Sequence, residues 1–130
     1  MTIIPKVSIV GAGPGDPDLI TVKGLRAIRS ADVVLYDALV NKDLLEETKD
    51  GALVIYVGKR SGQHSMKQED INLLIVQYAL RHGHVIRLKG GDPFIFGRGH
   101  EEVKYVSSFN IPVDIIPGLS SSTALCTAQS

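Results

Sequence analysis

Five short apolar runs alternate with amphipathic segments along the 130-residue chain. The runs are nearly continuous in apolar residues rather than alternating, which is typical of strands covered by helices on both faces of a sheet. They predict strands over Val7–Val10, Val33–Tyr36, Leu53–Val57, Val85–Leu88 and Val113–Ile116. This order of elements predicts one α/β domain over residues 1–130, with an open, mostly parallel five-stranded sheet and helices on both faces.

The clearest helix is predicted over Gln68–Arg81, where apolar residues recur at helical spacing: Ile71, Leu74, Ile75 and Tyr78. Ser65, three residues before Gln68, predicts a capping box at the start of this helix, and Gly83 predicts its C-cap. Further helices are predicted over Thr21–Ser30, Glu101–Phe109 and, for a short one, Lys42–Thr48.

Unusual residues follow the predicted strands, whereas ordinary turn residues such as Ser30-Ala31-Asp32 precede them. The strands are followed in turn by GAGPGD, by Asp37, by Gly58-Lys59-Arg60, by Lys89-Gly90-Gly91-Asp92 and by Pro117-Gly118-Leu119-Ser120-Ser121. In a parallel sheet the carboxyl ends of the strands lie along one edge, where ligands bind. We therefore predict a functional site at that edge.

The stretch after the fourth strand, read from Val85 to Arg98 as VIRLKGGDPFIFGR, is the most informative. Its two glycines permit positive φ angles and leave no side chain to obstruct a ligand, and Pro93 stiffens the loop. The apolar run Phe94–Phe96 suits a wall for an apolar or aromatic ligand. The alternative is a tight turn whose apolar residues pack under the sheet.

GAGPGD after a first strand, with Asp37 ending the second, invites a dinucleotide-binding interpretation. The fit is poor, because the third glycine of that fingerprint is replaced by Asp16, whose charge would repel a pyrophosphate. Pro14 also removes a backbone N–H from the loop. A tight strand-to-helix turn explains these glycines equally well.

The other polar candidates each have a structural explanation too. Asp37 can cap the segment that follows it, and one serine of Ser120–Ser122 can cap a helix. Lys59 and Arg60 can be solvated surface charges. His64 has no metal-ligand spacing to another His or Cys, so no metal site is predicted. No nucleophile and base are paired in the sequence, so covalent hydrolysis is not supported.

Composition narrows the class of protein. Hydrophobic residues make up 44% and charged residues 22% of the chain, as in globular proteins, and the formal net charge is zero. A strongly basic nucleic-acid binder is therefore not expected. No apolar run approaches the roughly 20 residues of a membrane helix, and no signal peptide is apparent. A single cysteine, Cys126, fits a reducing cytoplasm.

Six motifs in this order resemble the tetrapyrrole methylase family, and within it the amino-terminal half of the enzymes that methylate uroporphyrinogen III. They are GAGPGD, ADVVLYDALV, VGKRSGQH, QEDIN, RLKGGDPFIFGRGHEE and PGLSSS. The resemblance extends from about Val7 to Ser122. RLKGGDPFIFGR together with VGKR carries its specificity, since GAGPGD alone is a weak signal.

The resemblance implies transfer of methyl groups from two molecules of S-adenosylmethionine to carbons 2 and 7 of uroporphyrinogen III. The product, precorrin-2, serves sirohaem and cobalamin synthesis. Such enzymes are typically homodimers of two-domain subunits that bind the cofactor between the domains. The second domain has no counterpart in these 130 residues. We therefore expect a fragment that methylates poorly by itself.

The resemblance also implies roles for individual residues. Asp37 matches the proposed proton acceptor of the family and Lys59 its proposed proton donor. The S-adenosylmethionine contacts would be Pro14, Gly90, Gly91, Asp92, Ile95, Ser120 and Ser121. Since the substrate carries eight carboxylates, cations at the rim are expected to hold it, namely Arg60, His64, Lys89 and Arg98. Alternatives are methylation of another tetrapyrrole, a dinucleotide-binding module and a non-catalytic dimerisation domain.

Overall fold

A computed structural model of the chain describes residues 3–12, 20–37, 40–58, 67–90 and 99–118. The strands are β1 (Lys6–Gly11), β2 (Val33–Tyr36), β3 (Leu53–Tyr56), β4 (His84–Lys89) and β5 (Val113–Ile116). The helices are α1 (Val22–Ser30), a 3₁₀ helix (Lys42–Glu47), α2 (Gln68–His82) and α3 (Gly99–Ser107). The elements predicted from the sequence are all present, with ends that differ by one or two residues, and the short fourth helix is of the 3₁₀ type.

The five strands form one sheet in the order β3-β2-β4-β1-β5, and neighbouring strands all run parallel. The predicted fold class is therefore confirmed. β4 is the central strand, and Leu88 lies opposite Val10 of β1 on one side and Tyr36 of β2 on the other. The loops after β1, β2 and β4 consequently leave the sheet side by side.

Both faces of the three central strands are buried, whereas Leu53 and Val54 of β3 and Ile115 of β5 are exposed. One apolar cluster joins strand residues to α2 and α3, including Ile9, Leu35, Val85, Ile75 and Val106. A second cluster on the opposite face joins them to α1 and the 3₁₀ helix, including Val10, Val34, Ile86, Ile28 and Leu44. Successive strand residues point to opposite faces. The apolar runs are continuous because each face needs its own set of core side chains.

The start of α2 differs from the sequence prediction. The N-cap residue is Lys67, which makes no side-chain capping bond, and Gln68 is the first helical residue. Gln68 therefore cannot be the third residue of a capping box, and its Nε2 donates to Asn72 Oδ1 at 2.9 Å. The predicted capping box is wrong, and Ser65 lies outside the described residues. The predicted C-cap is confirmed, because Gly83 ends the helix at φ 110°.

Asp32, just before β2, joins the amino ends of three strands. Its Oδ2 accepts from the backbone N–H of His84 at 2.9 Å, and its Oδ1 accepts from Lys49 Nζ at 2.7 Å. Its own N–H donates to the His84 carbonyl, and its carbonyl accepts from the Leu53 N–H. The sequence predicts only an ordinary turn at Asp32. Its bonding partners lie 17 to 52 residues away, so no local pattern reveals them.

Gly83 is required beside this carboxylate for two reasons. Its φ of 110° is strained for any residue with a side chain, and a Cβ there would lie 3.0 Å from Asp32 Oδ2. Burial of Asp32 opposes ionisation, but the hydrogen bonds from Lys49 and from the His84 amide outweigh it. Together they hold the pKa of Asp32 below its ordinary value of 3.8.

Replacing Asp32 by Asn is expected to lower the free energy of unfolding by about 1 kcal/mol at pH 7, because charge-assisted bonds at a half-exposed site are lost. Since the folded-state pKa lies below 3.8, the stabilisation is present above pH 3.8 and is lost as the pH falls through the folded-state pKa. Urea unfolding of both proteins across this pH range measures the difference. Asp50→Asn, in the exposed turn before β3, is the matched control, and an equal loss in both variants would contradict the role of Asp32.

Candidate active site

Asp37 and Gly90 meet at the carboxyl edge of the sheet. Asp37 directly follows β2 and Gly90 directly follows β4, and these strands are neighbours. The backbone N–H of Gly90 donates to Asp37 Oδ1 at 3.3 Å, between residues 53 positions apart in sequence. Both residues are half-buried. The structure thus brings together the predicted proton acceptor and one predicted cofactor-binding residue.

Backbone hydrogen bonds continue past the strand ends into this site. The Ala12 N–H donates to the Lys89 carbonyl at 2.8 Å, and the Val57 N–H donates to the Tyr36 carbonyl at 2.8 Å. The Val40 N–H donates to the carbonyl of Asp37 itself at 3.3 Å. Because these bonds restrain the backbone on each side, Asp37 projects from an ordered edge rather than from a free loop.

Lys89, the third predicted site residue in the described part of the chain, is paired with a buried carboxylate. Its Nζ lies 2.5 Å from Glu102 Oε1, and Arg87 Nε donates to Glu102 Oε2 at 3.1 Å. The side chains of Glu102, Arg87 and Lys89 are 0%, 7% and 16% exposed, and we call them the Glu102 cluster. Contact of Lys89 with substrate stays a prediction, and in this structure its charge is held against Glu102.

Arg87 and Glu102 are not singled out in the sequence prediction, although both carry a signal. Arg87 interrupts an otherwise apolar strand, and Glu102 lies four residues before the buried Val106 on α3. Spacing of i, i+4 places Glu102 on the buried side of that helix. A charged residue in each of two core-facing positions predicts a buried pair, since neither charge is tolerated there alone.

The remaining predicted site residues lie outside the described residues, and their roles stay predictions. They are Pro14, Lys59, Arg60, His64, Gly91, Asp92, Ile95, Arg98, Ser120 and Ser121, together with the run Phe94–Phe96. Within the described ranges, no group of three or more His, Cys, Asp or Glu residues could hold a metal ion. In that same part of the chain, no helix is long and apolar enough to cross a membrane.

Comparison with protein families matches residues 6–129 to the tetrapyrrole (corrin/porphyrin) methylases. The chain belongs to this family. The resemblance predicted from its motifs is therefore confirmed.

Curated relatives share more than half of the aligned residues. The chain is 58% identical over 120 residues to uroporphyrinogen-III C-methyltransferase of Methanocaldococcus jannaschii, covering 92% of this chain and 50% of the relative. It is 53% identical over 118 residues to sirohaem synthase of Actinobacillus pleuropneumoniae serotype 7, covering 91% and 24%. The chain thus spans about half the length of the first relative and a quarter of the second.

Solved structures give the same pattern. Uroporphyrin-III C-methyltransferase of Thermus thermophilus, complexed with S-adenosyl homocysteine, is 45% identical with a TM-score of 0.75, covering 93% of this chain and 51% of the other. Cobalt precorrin-4 methyltransferase, a cobalamin biosynthetic enzyme, is 38% identical with a TM-score of 0.75, covering 95% and 49%. In each case the match again covers about half of the solved chain.

Replacing Glu102 by Leu is expected to lower the free energy of unfolding by about 3–5 kcal/mol, because Arg87 is then a buried charge without its carboxylate. The double variant Arg87→Met, Glu102→Leu is expected to lose less than Glu102→Leu alone, since an apolar pair of similar volume replaces the ion pair. Urea unfolding of the two single variants and the double variant measures this coupling. Additive losses would show that the two side chains are not energetically linked.

Proposed function

We propose that this chain is the amino-terminal half of an enzyme that methylates uroporphyrinogen III at carbons 2 and 7 and forms precorrin-2. The observation that carries the proposal is the Asp37 carboxylate held on the Gly90 N–H at the carboxyl edge of a tetrapyrrole methylase domain. The names of the curated relatives support the substrate, and the S-adenosyl homocysteine complex of the Thermus thermophilus enzyme supports the cofactor. Sirohaem and cobalamin synthesis are the pathways proposed for the product.

The residues described at this edge fit S-adenosylmethionine. The half-buried carboxylate of Asp37 suits a positively charged sulfonium. Gly90 is half-buried and has no Cβ, so a ligand can approach its backbone closely. When bound, this cofactor supplies a methyl group on a sulfonium whose thioether leaving group is already activated.

Asp37 is proposed to accept the proton that the alkylated tetrapyrrole loses from a neighbouring bridge carbon. A carboxylate suits this task when it is ionised and held in a fixed direction. The Gly90 N–H provides the fixed direction by bonding to one carboxylate oxygen. By motif match, Lys59 is proposed as proton donor, and Arg60, His64, Lys89 and Arg98 as partners of the substrate carboxylates.

A second α/β domain is proposed to complete the cofactor cleft, since the chain spans half of the Methanocaldococcus jannaschii relative. A site assembled from two domains buries a ligand of this size far better than one exposed sheet edge. A cytoplasmic homodimer is proposed as the working form.

The chain alone is expected to bind S-adenosylhomocysteine at least about 100-fold more weakly than the same chain joined to a second domain, because half of the ligand surface stays in water. Isothermal titration calorimetry of both proteins measures this. Only the two-domain protein is expected to add two methyl groups to uroporphyrinogen III, as read by product mass. Rapid turnover by the 130-residue chain alone would overturn the need for a second domain.

In the two-domain protein, Asp37→Asn is expected to lower kcat by about 10²- to 10⁴-fold, because the amide keeps an acceptor for the Gly90 N–H but cannot take up a proton. Affinity for S-adenosylhomocysteine should stay within about threefold, since its neutral thioether does not depend on the lost charge. Asp50→Asn, at the opposite edge of the sheet, is the control. A variant with wild-type kcat would remove Asp37 from the chemistry.

A second candidate is methylation of a later corrin intermediate, favoured by the TM-score of 0.75 to cobalt precorrin-4 methyltransferase. Competition between uroporphyrinogen III and precorrin-4 for the two-domain protein, followed by product mass, separates the two. Tighter binding of a nicotinamide cofactor than of S-adenosylhomocysteine would instead favour the dinucleotide-binding module.

A further inference from the structure

The end of β4 is held from three directions at the point where the proposed site begins. The carbonyl of Lys89 accepts from the Ala12 N–H of the neighbouring strand, and the next N–H, that of Gly90, donates to Asp37. The Lys89 side chain reaches the face covered by α3 and meets Glu102. Lys89 and Gly90 together therefore link the sheet, the site carboxylate and a helix.

Glu102 is the fully buried member of this arrangement. It lies in the first turn of α3, where the helix dipole favours a negative charge. Its two oxygens are divided between Arg87 and Lys89, alternate residues of β4 that point to the same face of the sheet. Glu102 therefore fixes the last two side chains that β4 directs toward α3 before Gly90.

Stability alone is a weak reason for such a cluster. Taking charges out of water costs several kcal/mol for each ion, and apolar residues of similar volume often serve a core as well or better. The other ion pairs in the described part of the chain, Lys23–Asp114, Arg29–Glu47 and Lys49–Asp32, have side chains at least one-third exposed. The buried pairs share Glu102 and lie at the strand end that leads into the site.

We propose that Glu102 is a positioning residue for the active site. It anchors Lys89 so that the Gly90 N–H stays directed at the Asp37 carboxylate, and it touches neither substrate nor cofactor itself. The proposal rests on the proposed function for its effect on methyl transfer. Its effect on the Gly90 N–H does not depend on that function.

The test compares Glu102→Gln with Glu101→Gln, the preceding and exposed glutamate of the same helix, in the two-domain protein. Without any ligand, hydrogen exchange of the Gly90 amide is expected to be at least about tenfold faster in Glu102→Gln through local opening, while the amide of the buried Ile75 in α2 accelerates only as far as the loss in the free energy of unfolding dictates. With substrate, kcat is expected to fall by about 10- to 100-fold, with the KM for uroporphyrinogen III within about twofold. Glu101→Gln should match the wild type in each measurement.

Lys89→Met removes the contact of Lys89 with Glu102 and leaves that of Arg87 in place, and it keeps the test decisive if Glu102→Gln does not fold. It should also accelerate exchange at Gly90, which no substrate contact of Lys89 would cause in the absence of substrate. Wild-type exchange at Gly90 in a folded Glu102→Gln or Lys89→Met variant would overturn the proposal. If the wild type neither binds S-adenosylhomocysteine nor methylates, the proposed function fails, while the exchange result still decides the role of Glu102.

Discussion

The site depends on the hydrogen bonding of β4 to β1 on one side and to β2 on the other. This central position places Gly90 beside Asp37 and joins the Lys89 carbonyl to Ala12, so three loops leave the sheet next to one another. If β4 were an edge strand, one of those neighbours would be lost. Strand order therefore decides which residues can meet at the proposed site, and the loop sequences act within that arrangement.

Strand order was the part of the fold that local sequence could not supply. Apolar runs such as Val33–Tyr36 predict strands because both sheet faces need core residues, and glycine after a helical pattern predicts the end of α2 at Gly83. Nothing in those patterns says that β4 enters between β1 and β2. The meeting of Asp37 and Gly90 was nevertheless predictable in outline, since the carboxyl ends of parallel strands share an edge.

The misses have a common physical cause. The bonds of Asp32 and the pairing of Glu102 with Arg87 join residues that are 15 to 52 positions apart. No local pattern identifies such a partner, although the core-facing positions of Arg87 and Glu102 indicate that each charge needs one. The wrong capping box at Ser65 is the opposite error. There a local pattern was present, but α2 begins at Gln68, so the pattern does not fall at the helix start. Acidic residues in the first turn interact favourably with the helix dipole without a capping box.

Three carboxylates, two flanking β2 and one on α3, show how environment assigns different tasks to the same chemical group. Asp32, at the amino edge, is half-exposed and bonded to a lysine and an amide, so it can hold strands together without a large desolvation cost. Glu102 is fully buried between two cations. A buried charge is tolerated only if its partners are fixed, and Glu102 in turn fixes the positions of those two cations. Asp37 is half-buried, so a ligand can reach it, and the Gly90 N–H orients one of its oxygens. A carboxylate that must take up a proton during a reaction needs both properties, because full burial would exclude the substrate and an unrestrained side chain would not direct its oxygen at the proton.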